Sequence, residues 1–330
     1  MREWKLRIVP YLSVVAPCFN EEAVLPEFYR QVAAVCRSVG EPFEIVLVND
    51  GSSDRTWQLI RGFAESDDHV VGINLSRNHG HQLALTAGLT YTRGQRVLII
   101  DADLQDPPGL LPDMLRKVEE GADVVYGQRR SRGGETTFKL VTARLFYWLI
   151  NKLTEIKIPP DTGDFRLLTR QVLDVLLRMP EHHRFTRGMI SWAGFHQVPL
   201  LYDRDPRFAG TTKYPMKKMV RFAVDAITGL SSKPLKFATW MGVCGSLLGL
   251  GLLGYALISW SLGLAVSGWT SLIAAIALFG SCQLIVLGIL GEYLARMYTQ
   301  IQGRPLFVVK EVVCNNKSVA SSTQPVSDSE

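Results

Sequence analysis

Residues 96–106 read RVLIIDADLQD, an apolar run that ends in two acidic residues, Asp101 and Asp103. Runs of Val, Ile and Leu between amphipathic stretches are typical of strands buried on both faces of a parallel sheet. Working outward, the same pattern predicts the strands Leu12–Phe19, Glu44–Asp50, Val70–Ser76, Arg96–Asp103 and Asp123–Gln128. Between them it predicts the helices Glu22–Val39, Asp54–Ser66, Gly80–Arg93 and Pro108–Glu120. This alternation indicates an α/β domain with a mostly parallel, Rossmann-like sheet.

The acidic pair is the strongest candidate for a metal site. Asp101 and Asp103 leave the end of a predicted strand, and Gln105 follows them. Mg²⁺ usually takes one or two carboxylates together with phosphate oxygens of a substrate, and ligands of open α/β sheets bind outside the carboxyl ends of the strands. A D-x-D pair alone is a weak signal, because acidic pairs at strand ends are often only solvated.

Polar residues also follow the first two predicted strands. Asp50 lies in NDGSSD, where its carboxylate suits a ring N–H or a ribose hydroxyl, although Ser53 or Asp54 can equally cap the next helix. Phe19 and Glu21 lie in PCFNEE and are candidates to line a nucleotide pocket.

A third polar stretch is DTGDFR, residues 161–166, which predicts a loop with two acids and an arginine. Such a loop suits a reaction centre in which Asp164 orients or deprotonates an acceptor, and it is equally compatible with a turn held by a salt bridge. Basic residues on flanking loops suit phosphate groups or a charged rim; they are Arg129, Arg130, Arg204, Arg207 and Lys213.

The C-terminal third contains a long stretch without charge. No Asp, Glu, Lys, Arg or His occurs from Phe237 through Gly291, which is long enough for two spans of about 20 residues each. We predict spans at Leu235–Trp260 and Trp269–Leu294 with a turn at Ser261–Gly268; a buried helical hairpin is the alternative. Lys and Arg flank the pair on both outer sides, which predicts an inner-membrane protein with the catalytic domain and both termini in the cytoplasm.

These patterns divide the chain into four segments. Residues 1–212 form the predicted cytoplasmic sheet domain, and 213–234 form an amphipathic segment that suits a helix at the bilayer interface. Residues 235–296 hold the two spans, and 297–330 form a C-terminal segment whose polar last part is predicted to be disordered. The net charge of +5 is modest and no nucleic-acid-binding motif is present, so nucleic acid is not an expected partner.

Taken in order, the motifs resemble family 2 glycosyltransferases with the GT-A fold, and within them the enzymes that use polyprenyl phosphates, such as dolichol-phosphate mannose synthases and bactoprenol glucosyltransferases. The likeness covers nearly the whole chain and is strongest to the bactoprenol (undecaprenyl-phosphate) branch. It is carried by PCFNEE, VNDGSSD, SRNHGHQLALTAGL, DADLQDPP, DTGDFRL, FAGTTKY and GEYLARMYTQIQGRPLFVV.

The resemblance implies an inverting transfer of glucose from UDP-glucose to polyprenyl phosphate by a homo-oligomer that needs Mg²⁺ or Mn²⁺. It implies Asp164 as the catalytic residue and Asp101, Asp103 and Gln105 around the metal. Nucleotide-sugar contacts would come from Pro17, Phe19, Glu21, Asp50, Asp101, Ala102 and Asp103. Phosphate contacts would come from Arg129, Arg166, Arg207 and Lys213.

Several alternatives remain open from the sequence. The donor can instead be UDP-N-acetylglucosamine, GDP-mannose or UDP-aminoarabinose, because no sequence position reports the stereochemistry of a sugar hydroxyl. A processive synthase would need more spans and a Q-x-x-R-W motif, which this chain lacks. A non-catalytic membrane scaffold would tolerate broken acidic motifs, whereas Asp50, Asp101, Asp103 and Asp164 are all present.

Overall fold

The computed structural model describes residues 9–130, 162–203, 228, 231–262, 268–315 and 319–320. The strands are β1 Leu12–Cys18, β2 Phe43–Asn49, β3 Val70–Leu75, β4 Arg96–Ile99, β5 Val124–Arg129, β6 Thr162–Thr169, β7 Gln197–Tyr202, β8 Val309–Val313 and β9 Val319–Ala320. The helices are α1 Leu25–Val39, α2 Thr56–Ser66, α3 His81–Tyr91, α4 Leu111–Glu119, α5 Arg170–Arg178, α6 Thr186–Trp192, α7 Lys233–Ser261 and α8 Trp269–Ile301. A short 3₁₀ helix, Pro108–Leu110, precedes α4.

The strands form one mixed sheet in the order β7-β5-β6-β4-β1-β2-β3-β8-β9. The pairs β1–β2, β1–β4 and β2–β3 are parallel, as the apolar runs predict, and β5 also pairs parallel with β7. Strand order reverses between β1 and β4, so the crevice outside their carboxyl ends is the expected ligand site. The α/β prediction is therefore confirmed, and the five predicted strands all exist; four have bounds within one residue of the prediction, whereas β4 ends at Ile99 and not at Asp103.

Two apolar clusters cover the sheet. One contains Phe28 of α1 and Phe165 of β6, both fully buried, and the other contains Leu85 of α3 and Leu173 of α5. Burying one side chain of this size stabilises the fold by about 1.5–3 kcal/mol. Helix α3 approaches β1 and β2 closely at Gly88, where a Cβ atom would lie 2.5 Å from Val15 Cγ1.

Four strands differ from the sequence interpretation. Residues 162–166 were predicted as a loop, but they begin β6, which pairs antiparallel with both β4 and β5. The reason is long-range pairing, with Ile99 opposite Arg166, that no local pattern reveals. No strand was predicted for β7, β8 or β9: β7 pairs parallel with β5, while β8 follows α8 in sequence and pairs antiparallel with β3 and β9.

Helices α7 and α8 belong to a separate compact unit. Within the described residues they are the two helices long and apolar enough to cross a membrane, over Lys233–Tyr255 and Leu278–Ile301, with mean hydropathy 1.5 and 1.6. Their apolar side chains are exposed (Leu284 by 71%), which argues against a soluble core hairpin. Gly249 of α7 faces α8, since a Cβ there would lie 3.6 Å from Phe279 Cζ. The proposed interfacial segment falls mainly outside the described residues.

Candidate active site

The candidate site lies where β4 ends and β6 begins. Because β6 runs antiparallel to β4, its first residues stand at the same sheet edge as the residues that follow β4. Asp101, two residues after β4, and Asp164, near the start of β6, therefore come together although 63 residues separate them in sequence. His81 at the start of α3 links them, with Nε2 3.4 Å from Asp101 Oδ1 and 3.2 Å from Asp164 Oδ2.

The turn that carries the acidic pair has an unusual backbone. Leu104 adopts a φ of +56°, in the left-handed region, and Asp103 Oδ1 accepts a hydrogen bond from the Gln105 N–H at 3.1 Å. Ala102 is buried, and so is Asp101 Oδ1, which has no hydrogen-bond partner among the described residues. A left-handed non-glycine residue costs about 1–3 kcal/mol and is often found at functional sites.

Asp164 is held from two helices. Its Oδ1 accepts a hydrogen bond from Arg187 Nε of α6 at 2.9 Å, and its Oδ2 accepts one from Gln82 Nε2 of α3 at 2.9 Å. His81 also contacts Oδ2, so His81, Gln82, Asp164 and Arg187 form what we call the Asp164 cluster. Arg187 is fixed in turn by Nη1 bonding the Thr162 carbonyl at 2.7 Å, and its guanidinium carbon lies 5.7 Å from the centre of the Phe185 ring.

Charges within the cluster shift the pKa values of its members. Burial by itself would raise the pKa of Asp164, but Arg187, His81 and Arg166 outweigh it and hold that pKa well below its usual range. Burial lowers the pKa of His81, yet the hydrogen bond to Asp164 and the charges of Asp101 and Asp164 raise it to about 9. Burial raises the pKa of Asp101 to about 6, with His81 opposing and the neighbouring carboxylates adding to the rise. At neutral pH, Asp164 is therefore ionised and His81 is protonated.

Asp50 is already engaged by the backbone. Its two carboxylate oxygens accept hydrogen bonds from the N–H groups of His79 at 2.7 Å and Gly80 at 3.0 Å, and the residue is buried. Gly51, with φ +65°, packs against the same segment, since a Cβ there would lie 2.5 Å from Arg77 C and Asn78 N. Asp50 thus fixes the segment that leads into α3 and the Asp164 cluster.

The residues predicted after β1 stand at the neighbouring strand end. Pro17 lies in β1, Phe19 is 47% exposed, and Glu21 is half-buried with its N–H bonded to Thr56 Oγ1 at 2.9 Å. Asn20 adopts a φ of +56° and its side-chain oxygen accepts the Ser53 N–H at 2.9 Å. The loops after β1 and β2 are therefore tied together, with Phe19 facing solvent beside them.

Of the four predicted phosphate-binding residues, two are described. Arg129 ends β5 and lies near Gly163, where a Cβ would be 3.4 Å from its Nη2. Arg166 is buried in β6; it donates to the backbone carbonyls of Gly163 at 2.9 Å and Asp164 at 3.3 Å, and burial lowers its pKa to about 10. Arg207 and Lys213 lie outside the described residues, as do Arg204 and Asp161.

Sequence reasoning missed three members of the cluster. His81, Gln82 and Arg187 received no role, although HGHQ stood in a motif that carried the family resemblance. Arg187 lies 23 residues beyond Asp164, on α6, and no sequence motif singled it out.

The acidic turn fits a divalent cation that completes its ligand sphere from a substrate. Within the described ranges no group of three or more His, Cys, Asp or Glu side chains is arranged to hold a metal by itself. Asp101 nevertheless presents a buried oxygen that accepts no hydrogen bond from the described residues, although His81 Nε2 lies 3.4 Å from it, and Asp103 stands two residues away. Mg²⁺ and Mn²⁺ prefer such oxygen ligands, and two carboxylates suffice where substrate phosphates supply more.

Comparison with known proteins gives the following similarities. A family described as glycosyl transferase family 2 matches residues 13–177. The uncharacterized glycosyltransferase YkcC of Bacillus subtilis (strain 168) is 46% identical over 303 residues, which covers 91% of this chain and 93% of that protein. The SfII prophage-derived bactoprenol glucosyl transferase of Shigella flexneri is 38% identical over 302 residues, covering 91% and 97%.

Several solved structures are also similar to this chain. Glucosyl-3-phosphoglycerate synthase from Mycobacterium tuberculosis, in complex with Mn²⁺, UDP-glucose and phosphoglyceric acid, is 22% identical, with a TM-score of 0.42. The alignment covers 66% of this chain and 78% of that one.

Proposed function

The chain belongs to glycosyl transferase family 2 and is a glycosyltransferase of the GT-A fold; from this premise we propose that it transfers glucose from UDP-glucose to polyprenyl phosphate. One observation carries the chemistry: Asp101 of the D-x-D turn and the ion-paired Asp164 both lie next to His81 at one sheet edge. The sugar and the acceptor are supported by the Shigella flexneri relative named bactoprenol glucosyl transferase, to which 91% of this chain aligns.

The proposed reaction is an inverting, single displacement. An oxygen of the acceptor phosphate attacks the anomeric carbon, a new carbon–oxygen bond forms, and the bond to the diphosphate oxygen breaks with its electron pair leaving on UDP. A phosphate monoester has its second pKa near 6, so the attacking oxygen is already largely deprotonated at neutral pH. The acceptor phosphate therefore does not need a strong general base to deprotonate it.

Asp164 suits an electrostatic and orienting role better than that of a base. Its pKa is held well below the usual range and both of its oxygens accept hydrogen bonds, so it takes up a proton poorly. A fixed carboxylate near the anomeric carbon stabilises the positive charge that develops there as the leaving group departs. We assign Asp164 this role in preference to general-base catalysis.

Asp101 and Asp103, with Gln105 beside them, are the residues we propose to hold Mg²⁺ or Mn²⁺. When bound, such an ion neutralises charge on the diphosphate of the leaving group. Burial is the main cause of the raised pKa of Asp101. Because of that raised pKa, a cation that binds Asp101 must compete with a proton for the carboxylate.

The remaining contacts of the donor and acceptor are also proposals. Phe19, Glu21 and Pro17 stand at the end of β1 beside the Asp50 segment, where a base and ribose would lie, and Ala102 would approach the sugar nucleotide through its backbone. Arg129 stands beside Gly163 near the Asp164 cluster and suits a phosphate. We propose the same role for Arg207 and Lys213. Arg166 was also expected to bind phosphate, but it is buried and donates to the Gly163 and Asp164 carbonyls, so it suits holding the start of β6 instead.

We propose that α7 and α8 both span the inner membrane, with the sheet domain and both termini cytoplasmic. Exposed apolar side chains on both helices support the spanning, and the Lys and Arg on the outer flanks support the orientation. Residues 213–234 would lie at the bilayer interface, and the protein would act as a homo-oligomer. The helices would keep the site close to a lipid acceptor.

A donor panel tests the proposal. Membranes that contain the protein are incubated with undecaprenyl phosphate, Mg²⁺ or Mn²⁺, and one radiolabelled donor at a time: UDP-glucose, UDP-N-acetylglucosamine, GDP-mannose or UDP-aminoarabinose. We expect label in the lipid phase from UDP-glucose, and none without acceptor or with a chain that carries D101N and D103N. Label from another donor alone would replace glucose with that sugar, and label from no donor would refute the enzymatic proposal.

A further inference from the structure

Gln82 connects the Asp164 carboxylate to helix α6. Its Nε2 donates to Asp164 Oδ2 at 2.9 Å, and its Oε1 accepts two hydrogen bonds from Thr186, from the backbone N–H at 3.0 Å and from Oγ1 at 2.7 Å. The three residues come from α3, β6 and α6, and 104 residues separate Gln82 from Thr186. The NH₂ group and the carbonyl oxygen of the Gln82 amide therefore both form hydrogen bonds, one to β6 and the other to α6.

The hydrogen-bond partners, Thr186 and Asp164, determine the orientation of the Gln82 amide. A backbone N–H can only donate, so the Gln82 carbonyl oxygen must face Thr186. The NH₂ end must then face Asp164, whose ionised carboxylate can only accept. The orientation follows from the chemistry of the two neighbours, and Thr186 is buried, which excludes water from that end.

The contact limits the rotation of the carboxylate. Rotation about the last bond of an Asp side chain is soft, because that torsion has broad minima. Arg187 fixes Oδ1 and Gln82 fixes Oδ2, so together they set the plane of the carboxylate relative to Asp101 and the D-x-D turn. His81 contacts the same Oδ2 but also reaches Asp101, so it alone does not set that plane.

We propose that Gln82 is a positioning residue of the transfer reaction, which orients Asp164 by hydrogen bonding between α3 and α6. The inference rests on the function proposed above. Gln82 carries no charge, so it acts on the direction of the Asp164 carboxylate and leaves the charge of the site unchanged. A misplacement of about 1 Å in a reacting group can cost on the order of 100-fold in rate.

Kinetics of Gln82→Met test this role, because Met matches Gln in length but neither donates nor accepts at these positions. With UDP-glucose and undecaprenyl phosphate we expect kcat to fall about 10- to 100-fold, while KM for UDP-glucose stays within about threefold. Gln82→Glu keeps an oxygen for the Thr186 N–H but sets a carboxylate against Asp164, so its loss in kcat should be larger. The matched control is Gln31→Met on α1. The Gln31 amide bonds only Glu27 among the described residues, so this variant should keep the wild-type kcat.

Thr186 provides a second route if Gln82→Met folds poorly. Thr186→Val removes the Oγ1 hydrogen bond and should lower kcat by a smaller factor, whereas Thr186→Ser keeps it and should restore wild-type kcat. Titration of UDP-glucose by calorimetry reports the fraction of folded, donor-binding protein for each variant. A purely structural role would lower that fraction and leave kcat per binding site unchanged.

The outcomes separate the inference from the function on which it rests. If wild-type protein moves no sugar onto undecaprenyl phosphate, the proposed function fails and the inference fails with it. If wild-type protein is active but Gln82→Met and Thr186→Val keep its kcat per binding site, only the inference is overturned. A rise in KM without a fall in kcat would likewise overturn it, because that result would make Gln82 a donor contact.

Discussion

Nε of Arg187 lies 2.9 Å from Oδ1 of Asp164, and this ion pair joins the start of β6 to helix α6 beside the D-x-D turn. Both side chains are largely buried, and the same arginine bonds the Thr162 carbonyl. Such a pair keeps a carboxylate ionised in a place where burial would otherwise favour its protonated form. The ion pair therefore helps to keep the Asp164 carboxylate ionised at neutral pH.

Asp164→Asn should lower kcat by about 100- to 1,000-fold, because the amide keeps the shape of the side chain but loses its charge. The affinity for UDP-glucose should stay within about threefold, since the D-x-D turn is unchanged. Sugar transfer into the lipid phase measures kcat, and calorimetry measures donor affinity. Asp174→Asn is the control, because Asp174 is an exposed carboxylate paired with Arg170 on α5 and its loss should not affect transfer. Near-wild-type turnover in Asp164→Asn would remove Asp164 from the mechanism.

Asp103→Ala should abolish the metal-dependent part of donor binding. The carboxylate that we propose for the cation is removed, together with its hydrogen bond to the Gln105 N–H. Calorimetry with UDP-glucose, with and without Mn²⁺, should show a metal-dependent gain in affinity for wild-type protein and none for the variant.

Two controls accompany that measurement. Membrane extraction should recover Asp103→Ala in the membrane fraction like the wild type, because α7 and α8 are untouched. Asp113→Ala removes an exposed acid of α4 that pairs with Arg116, and it should keep the metal response. An unchanged response to Mn²⁺ in Asp103→Ala would count against a cation at this turn.

How much of this the sequence could predict differs from element to element. Strands β1 to β5 were predictable because each is a continuous apolar run between helices. Strand β6 was not, because TGDFRLLT contains Gly163, Asp164 and Arg166, and its strand state depends on pairing with β4 and β5. The sequence singled out Asp101 and Asp164, and both lie next to His81 at one sheet edge. Gln82 and Arg187 were missed, since only tertiary packing brings α3 and α6 to opposite sides of Asp164.

Gly51→Ala should destabilise the sheet domain and weaken donor binding. Gly51 has a φ of +65°, which costs about 1–2 kcal/mol for a residue with a Cβ, and the added methyl would lie 2.5 Å from the backbone of Arg77 and Asn78. The backbone there must move, and with it the segment whose N–H groups bind Asp50. Thermal unfolding should report a lower Tm, and calorimetry a weaker affinity for UDP-glucose.

Gly62→Ala is the matched control for Gly51→Ala. Gly62 lies in α2 at a position where an added Cβ meets nothing within 4 Å. An alanine in a helix interior is favoured over glycine by about 0.5–1 kcal/mol, so this variant should keep or slightly raise Tm. Equal Tm values for Gly51→Ala and the wild type would show that the loop after β2 tolerates a side chain.

A chain that ends at Arg304 should lose stability in its sheet domain, because β8 covers the edge of β3. Val313 is buried, Phe307 packs against the cluster that contains α3, and the Val308 carbonyl accepts the Ser76 N–H at 2.9 Å. Burial of Val313 alone contributes about 1.5–3 kcal/mol, against a typical total of about 5–15 kcal/mol for a domain.

Limited proteolysis of the chain that ends at Arg304 should cut β3 and the segment after it faster than in the wild type. Its affinity for UDP-glucose should also fall, because the Val308 N–H contacts His79 Nε2, beside Asp50. A chain that ends at Ala320 keeps β8 and β9 and should behave as wild type. If the chain that ends at Arg304 resisted protease equally well and bound UDP-glucose equally tightly, β8 would be dispensable to both the sheet and the site.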